Sequence, residues 1–328
     1  MDFVCPACKK PLSCQARLYF CKSCNREFPV LCGIADFRLH PDPYIGIEQD
    51  RAKAELLFDA GRSRDFQDLV RFYYSITEED PPDLACRWRE RALQEVEIAR
   101  FVLRESRSFS QPVSSGGRWL DIGCSTGALL AAVKDSASVL VGVDVALRWL
   151  IVGLARLREE QVEALLVCAN AEALPFPDSA FTSVSATDLI EHVRDAAATL
   201  AEARRVAVPG APMLWTTNNR FAPVPEPHVR LWGVGFLPRQ RQPDYVAWRR
   251  RDLHRYQVVL RSARELEALF AAAGYGVVKA EAAALYAPHW RRRIPRVILR
   301  LYNRFRTLPV IRGFLRAAGP RLWIRTVR

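Results

Sequence analysis

The sequence predicts an α/β protein: a seven-stranded parallel sheet preceded by a small metal-organised module. Three observations carry this. After residue 117, short apolar runs alternate with helical patterns, the rhythm of βαβ units. One such run ends in a glycine turn, Asp121-Ile122-Gly123-Cys124-Ser125-Thr126-Gly127, which opens a helix. Six of the nine cysteines lie before Gly33.

The first element is the cysteine module, residues 1–40. Cys5-Pro6-Ala7-Cys8 and Cys21-Lys22-Ser23-Cys24 are two CxxC knuckles. Zinc prefers four soft ligands in a tetrahedron, and two tight knuckles supply two thiolates each. A module this small buries too little core to fold alone, so the spacing predicts Zn2+ as its organising centre. Cys14 and Cys32 read as ordinary small residues.

Residues 41–112 read as a helical connector. Residues 48–77 are helical in pattern, Glu79-Asp80-Pro81-Pro82 breaks the chain, and one long helix is expected from Leu84 to Ser106. Residues 111–117, QPVSSGG, are a linker by composition.

The third unit, 113–328, carries the sheet. Strands are expected near 118–122, 138–143, 163–168, 181–186, 212–216, 276–280 and 322–327. Glycines at the first strand's end let backbone approach a ligand closely. Asp144 closes the next conspicuous strand, 23 residues after Asp121. An acid at that remove suits a ribose diol. A dinucleotide fingerprint needs G-x-G-x-x-G, but Ser125 and Ala128 stand at its second and third glycine positions. The D-x-G-x-x-x-G frame suits a nucleoside ligand without a pyrophosphate, such as S-adenosylmethionine (SAM).

Length and composition bound the rest. The 328 residues suit about two domains. Half are hydrophobic and 26% are charged, which excludes a disordered chain. No apolar run reaches the roughly 20 residues of a membrane span. The opening MDFVCPACKK lacks the basic-then-apolar pattern of a secretory signal, so a reducing cytoplasm is the expected compartment.

Further motifs are Asn170-Ala171-Glu172-Ala173-Leu174-Pro175-Phe176-Pro177-Asp178, Thr187-Asp188-Leu189-Ile190-Glu191-His192-Val193 and Pro209-Gly210. With the glycine turn and in this order, they resemble class I SAM-dependent methyltransferases, especially the quinone-biosynthesis branch. The resemblance covers roughly residues 117–280. It implies a doubly wound, Rossmann-like methyltransferase sheet with ligands at the carboxyl ends of its strands. It also implies that Asp121, Gly123, Cys124, Ser125 and Gly127 surround the amino-acid part of SAM. Asp144 and Val145 would then take the ribose, Asn170 and Ala171 the adenine edge, and Thr187 a place near the methyl group. Ser125 and Asn170 depart from the commonest pattern, which has glycine and aspartate there. The stretch Phe28–Phe37 resembles the end of a zinc ribbon known as a methyltransferase activator, whose usual role is structural or partner-binding.

A sulfonium is already a strong methyl donor, so positioning is the large contribution, and a base helps if the acceptor is a hydroxyl. The five histidines are His40, His192, His228, His254 and His289. His192 reads either as a base near the methyl or as a histidine tying its loop down. The long stretch 218–262 reads as a substrate loop, with Glu226, His228 and Arg230 on the acceptor side.

The formal charge is +12, and its distribution is uneven. From Trp290 to Arg328 there are twelve arginines and no Asp, Glu or Lys; the rest of the chain is neutral. Within 290–318, Ile294, Val297, Ile298, Leu301 and Phe305 share one helical face, and Val310, Ile311, Phe314 and Leu315 suggest a second helix. This insertion would either pack its apolar face on the domain or lie on an anionic surface, such as the inner membrane face or RNA. Two enzymatic readings follow: methylation of a small-molecule or lipid-linked acceptor, and methylation of rRNA or tRNA held by the arginines. A SAM-binding scaffold acting through its ribbon is the third.

Overall fold

The computed structural model describes residues 2–77, 81–106, 117–253, 256–276, 278–286 and 295–328. Residues 111–116 of the linker, Glu79 and Asp80 of the expected break, Trp290 to Ile294 of the basic insertion, His254 and His289 lie outside them.

Four short strands come first: β1 (Ser13–Gln15), β2 (Leu18–Cys21), β3 (Arg26–Leu31) and β4 (Ile34–Asp36). Helices α1 (Ile47–Ala60), α2 (Phe66–Ser75), α3 (Pro82–Ala92) and α4 (Glu95–Ser106) follow. The single helix expected over 84–106 is therefore two. The buried Arg156 guanidinium takes the Ala92 carbonyl, which a continuous helix would have used itself.

Next come β5 (Arg118–Ile122), α5 (Ala128–Ala132), β6 (Val139–Asp144), α6 (Leu147–Glu159), β7 (Leu165–Cys168), β8 (Ser183–Thr187), α7 (Ala196–Val206) and β9 (Pro212–Asn218). Then follow α8 (Gln242–Arg249), α9 (Ala263–Ala272), β10 (Ala280–Ala282), α10 (Arg296–Phe305), α11 (Pro309–Ala318) and β11 (Arg321–Val327). Local chemistry sets several ends. Asp195 caps α7 by accepting from the Ala197 and Ala198 amides, and Ser262 and Glu265 form a capping box on α9.

The strand order is β1-β2-β3-β4-β7-β6-β5-β8-β9-β11-β10. Among the described residues the sheet thus holds eleven strands, not the expected seven. The amino-terminal strands extend it: β4 runs parallel to β7, with Ala35 opposite Val167 and Asp36 opposite Cys168. All three β4 residues are buried, and their pairing satisfies a β7 edge that would otherwise present unpaired backbone groups. The sheet is mixed, because β11 lies antiparallel to both β9 and β10.

Side chains alternate across the sheet. Leu120, Ile122, Val141, Val143, Val167, Leu322 and Ile324 face one core, while Trp119, Leu140, Leu166 and Trp323 face the other. Aromatic rings bind the amino-terminal strands to the first core: Phe3 lies 4.8 Å from Phe37 and 5.9 Å from Phe176, centroid to centroid. At the same junction Val4 N–H donates to the Pro175 carbonyl at 3.0 Å, and Lys9 pairs with Glu202 at 2.6 Å.

Candidate functional site

A cavity of about 600 Å³ opens at the carboxyl ends of β5, β6, β7, β8 and β9. Asp121, Gly123, Cys124, Ser125, Asp144, Val145, Asn170, Ala171, Thr187, His192 and His228 all line it. Gly127 and Glu226 do not. Gly127 stands behind the turn, and Glu226 is buried beneath His228.

The turn after β5 needs left-handed backbone at Gly123 (φ +73°), Ser125 (φ +47°) and Gly127 (φ +74°). A side chain at Gly123 would also meet Leu189 at 2.8 Å. This path aims the Ser125 N–H at Asp144 Oδ2 (2.8 Å), while Ala146 N–H donates to Oδ1 (2.9 Å). Burial nevertheless pushes the Asp144 carboxyl up to about 6. Burial likewise pushes Asp121 up to about 7; a 2.7 Å hydrogen bond from Ser185 opposes the shift and the Asp144 charge adds to it.

Asn170 lines the cavity, but its amide is already engaged. Oδ1 accepts from the Leu39 and His40 amides (2.8 and 3.0 Å), and Nδ2 donates to the His40 carbonyl (3.1 Å). The segment leaving β4 is thereby held against the cavity, and Pro41 to Ile45 form part of its wall. A buried ion network fixes that segment. Arg38 pairs with Asp36 (2.7 Å) and Asp50 (2.6 Å), and Arg148 pairs with Asp50 (2.6 Å) and Asp42 (3.0 Å). Arg38 also donates to the Val145 carbonyl, and Asp50 accepts the Leu147 amide at the start of α6.

The opposite wall carries a cluster of titratable side chains. His228 Nδ1 lies 2.5 Å from Glu226 Oε1, and Glu226 Oε2 accepts from the His228 and Val229 amides. Burial works against charge on His228, but Glu226 prevails and raises its pKa. His192 stacks edge-on at 4.8 Å, and burial plus the His228 charge push it down to about 3. The Tyr44 hydroxyl lies 3.4 Å from His192 Nδ1. Glu191 is buried, and its carboxylate accepts from Thr217 and Asn218. Donor atoms of Glu191, His192 and His228 fall within 4.8 Å of one another.

Asp188, Arg91 and Arg321 also line the cavity and were not singled out from sequence as site residues. Burial would raise the Asp188 pKa, but Arg321 and Arg91 hold it well below the usual carboxylate range. The partners lie 97 and 133 residues away, and no motif marks either arginine.

The four knuckle cysteines come together at the amino-terminal strands. Cys5 and Cys24 sulfurs lie 3.5 Å apart, Cys8 and Cys21 3.5 Å, and Cys8 and Cys24 3.9 Å. Four thiolates around zinc at 2.3 Å would sit about 3.8 Å apart, so this donor set fits the metal.

Residues 120–214 match the family described as "Methyltransferase domain". The ubiquinone biosynthesis O-methyltransferase of Hahella chejuensis is 30% identical over 144 residues, covering 42% of this chain and 59% of that protein. Its namesake from Cereibacter sphaeroides (strain ATCC 17029 / ATH 2.4.9) is 35% identical over 117 residues, covering 35% and 47%. The chain thus spans about half the length of these curated relatives. Among solved structures, a SAM-dependent methyltransferase from Mesorhizobium loti matches with a TM-score of 0.48 at 17% identity, covering 71% of this chain and 100% of that one. A Haemonchus contortus phosphoethanolamine N-methyltransferase 2 bound to S-adenosyl-L-methionine matches at 0.47 and 18%, covering 70% and 52%. The family match supports the resemblance drawn from the motifs over residues 120–214.

Proposed function

We propose that this protein transfers a methyl group from SAM to a small-molecule or lipid-linked acceptor. The observation that carries the reading is one cavity with two dissimilar walls. On one wall the Asp144 carboxylate and the glycine turn suit a nucleoside. On the other, the Glu226–His228 pair suits removal of an acceptor proton. SAM supplies an activated methyl on a sulfonium when bound.

The chain's own residues then divide the work. Asp144 accepts the ribose hydroxyls, with Val145 beside it. Asp121, Gly123, Cys124 and Ser125 surround the amino-acid end, and Gly127 holds the turn in shape from behind. Ala171 forms the adenine edge, and Asn170 contributes by holding Leu39 and His40 there. Thr187 would lie near the methyl. His228 Nε2 takes the acceptor proton while Glu226 fixes the ring through Nδ1. His192 stays neutral and orients Tyr44. Cys5, Cys8, Cys21 and Cys24 would hold a structural Zn2+. We take residues 1–40 as the ribbon, 41–112 as the connector and 113–328 as the catalytic domain.

Tritiated methyl transfer from SAM into fractionated cell extract tests the reading. Label entering lipid or small solutes supports it; label confined to RNA overturns the acceptor class. The pH profile tests the base. His228 must be neutral to accept a proton, so kcat rises with pH through a value above the ordinary 6.5 or so of histidine. His228→Gln is expected to lower kcat by about 10² or more and to remove that limb. SAM affinity should keep its own acid dependence, set by Asp144 and Asp121. An unchanged kcat profile in the variant would remove His228 from the mechanism.

A further inference from the structure

The insertion formed by α10 and α11 is amphipathic, but it is mounted inside out. The face of α10 turned to the protein carries Leu299, Tyr302, Asn303 and Arg306. Tyr302 donates to the Ala283 carbonyl, Asn303 exchanges two hydrogen bonds with the Leu285 backbone, and Arg306 donates to the Ala282 carbonyl. The aliphatic face points outward: Val297 is 63% exposed and Ile298 53%. On α11, which has no buried residue, Val310 is 88% exposed and Phe314 67%. Among the described residues this apolar surface is largely uncovered, which speaks against the packing alternative raised by the sequence.

The charge around it is one-sided. Arg306 pairs with Glu105 and Arg316 with Glu267. Arg296, Arg300, Arg304 and Arg312 are exposed and make no ion pair among the described residues. Solvated protein faces ordinarily mix signs. Apolar side chains ringed by unpaired arginines match an anionic lipid interface, where the aliphatic groups enter the acyl boundary and the guanidinium groups meet phosphates. Nucleic acid would use the arginines but leave the valines, isoleucine and phenylalanine in water.

The insertion is also rooted beside the cavity. Ala282, where it leaves the sheet, pairs with Leu322, and Arg321, where it returns, pairs with Asn218 at the end of β9. Arg321 and Asn218 both line the cavity. Phe236, itself 57% exposed, shares a small cleft with Pro320 and Arg321.

We propose that α10 and α11 form a docking surface for an anionic membrane, set at the mouth of the cavity. This deepens the lipid-linked acceptor reading, although docking itself does not need the transfer chemistry. The test is flotation of the full chain with phosphatidylglycerol/phosphatidylcholine vesicles, with pure phosphatidylcholine vesicles and a short polyuridylate RNA as comparisons. The chain should float with the anionic vesicles, and less so as salt rises. The double variant Val310→Asp/Phe314→Asp should partition about tenfold less, with unchanged thermal unfolding and SAM affinity. Three results would each overturn the proposal: equal flotation of the variant, tighter binding to the RNA than to the vesicles, or a concentration-dependent dimer abolished by the variant. Failure of the unaltered chain to float with the anionic vesicles, with its methyl transfer to small solutes intact, would overturn docking alone.

Discussion

The two ends of the sheet have been extended in opposite ways. At the β7 edge, the amino-terminal strands turn everything inward. Phe3, Phe28 and Phe37 pack with Phe176 and Phe181, and the charges of Asp36, Arg38 and Asp50 close on one another out of water. At the β10 edge, the insertion turns its apolar side outward and leaves four arginines unmatched among the described residues. A buried ion network of this kind is costly to break because each partner, left alone, is an uncompensated charge in a low dielectric. An exposed apolar face is also unfavourable, unless something outside the molecule covers it. The first edge therefore belongs to the protein's own architecture, and the second, on the docking proposal, would be covered by a partner.

Metal removal should give the largest contrast. If zinc organises the knuckles, its binding free energy is folding free energy, on the order of 10 kcal/mol for a small site. Chelation, or Cys8→Ser, should therefore lower the melting temperature by more than about 10 °C. It should also weaken SAM binding, because Leu39 and His40 would no longer be held against Asn170. Calorimetry with and without chelator measures both, and an unmoved Tm would sink the metal assignment. Asp50→Asn comes next. It removes the charge shared by Arg38 and Arg148 and loosens the α6 start at Leu147. A loss of about 3–5 kcal/mol is expected, read from the denaturation midpoint. A loss below about 1 kcal/mol would mean that the network is wetter than its geometry implies.

What was legible in the sequence follows from range. The seven strands of the sheet-bearing unit, the glycine turn and Asp144 are local patterns, and each lies within a few residues of its predicted place; only the strand expected at 276–280 is displaced, to Ala280–Ala282. The two knuckles are legible because CxxC spacing is itself a ligand geometry. The junction of β4 with β7 was not, since three residues carry no registration signal of their own. Neither was the clamp of Arg91 and Arg321 on Asp188, which joins three distant parts of the chain. Asn170 shows a subtler limit. The resemblance put it at the adenine edge; it lines the cavity, but its amide also holds Leu39 and His40 at the end of the amino-terminal module. For α10, periodicity identified an amphipathic helix but not which side faces the body, because that depends on partners for Tyr302, Asn303 and Arg306.

The smallest expected effect tests that orientation within a single helix. Leu299 and Ile298 are neighbours on α10, and composition alone gives no reason to treat them differently. Leu299 is 1% exposed and faces the body, so Leu299→Ala should cost about 2–4 kcal/mol through lost burial and a cavity. Ile298 is half exposed, so even Ile298→Asp, a far harsher chemical change, should stay within about 0.5 kcal/mol. Urea denaturation of the two variants in the absence of lipid compares them directly. If Ile298→Asp proves the more damaging, the aliphatic face is buried in solution. The contrast between the two sheet edges would then disappear, because both would be packed inward.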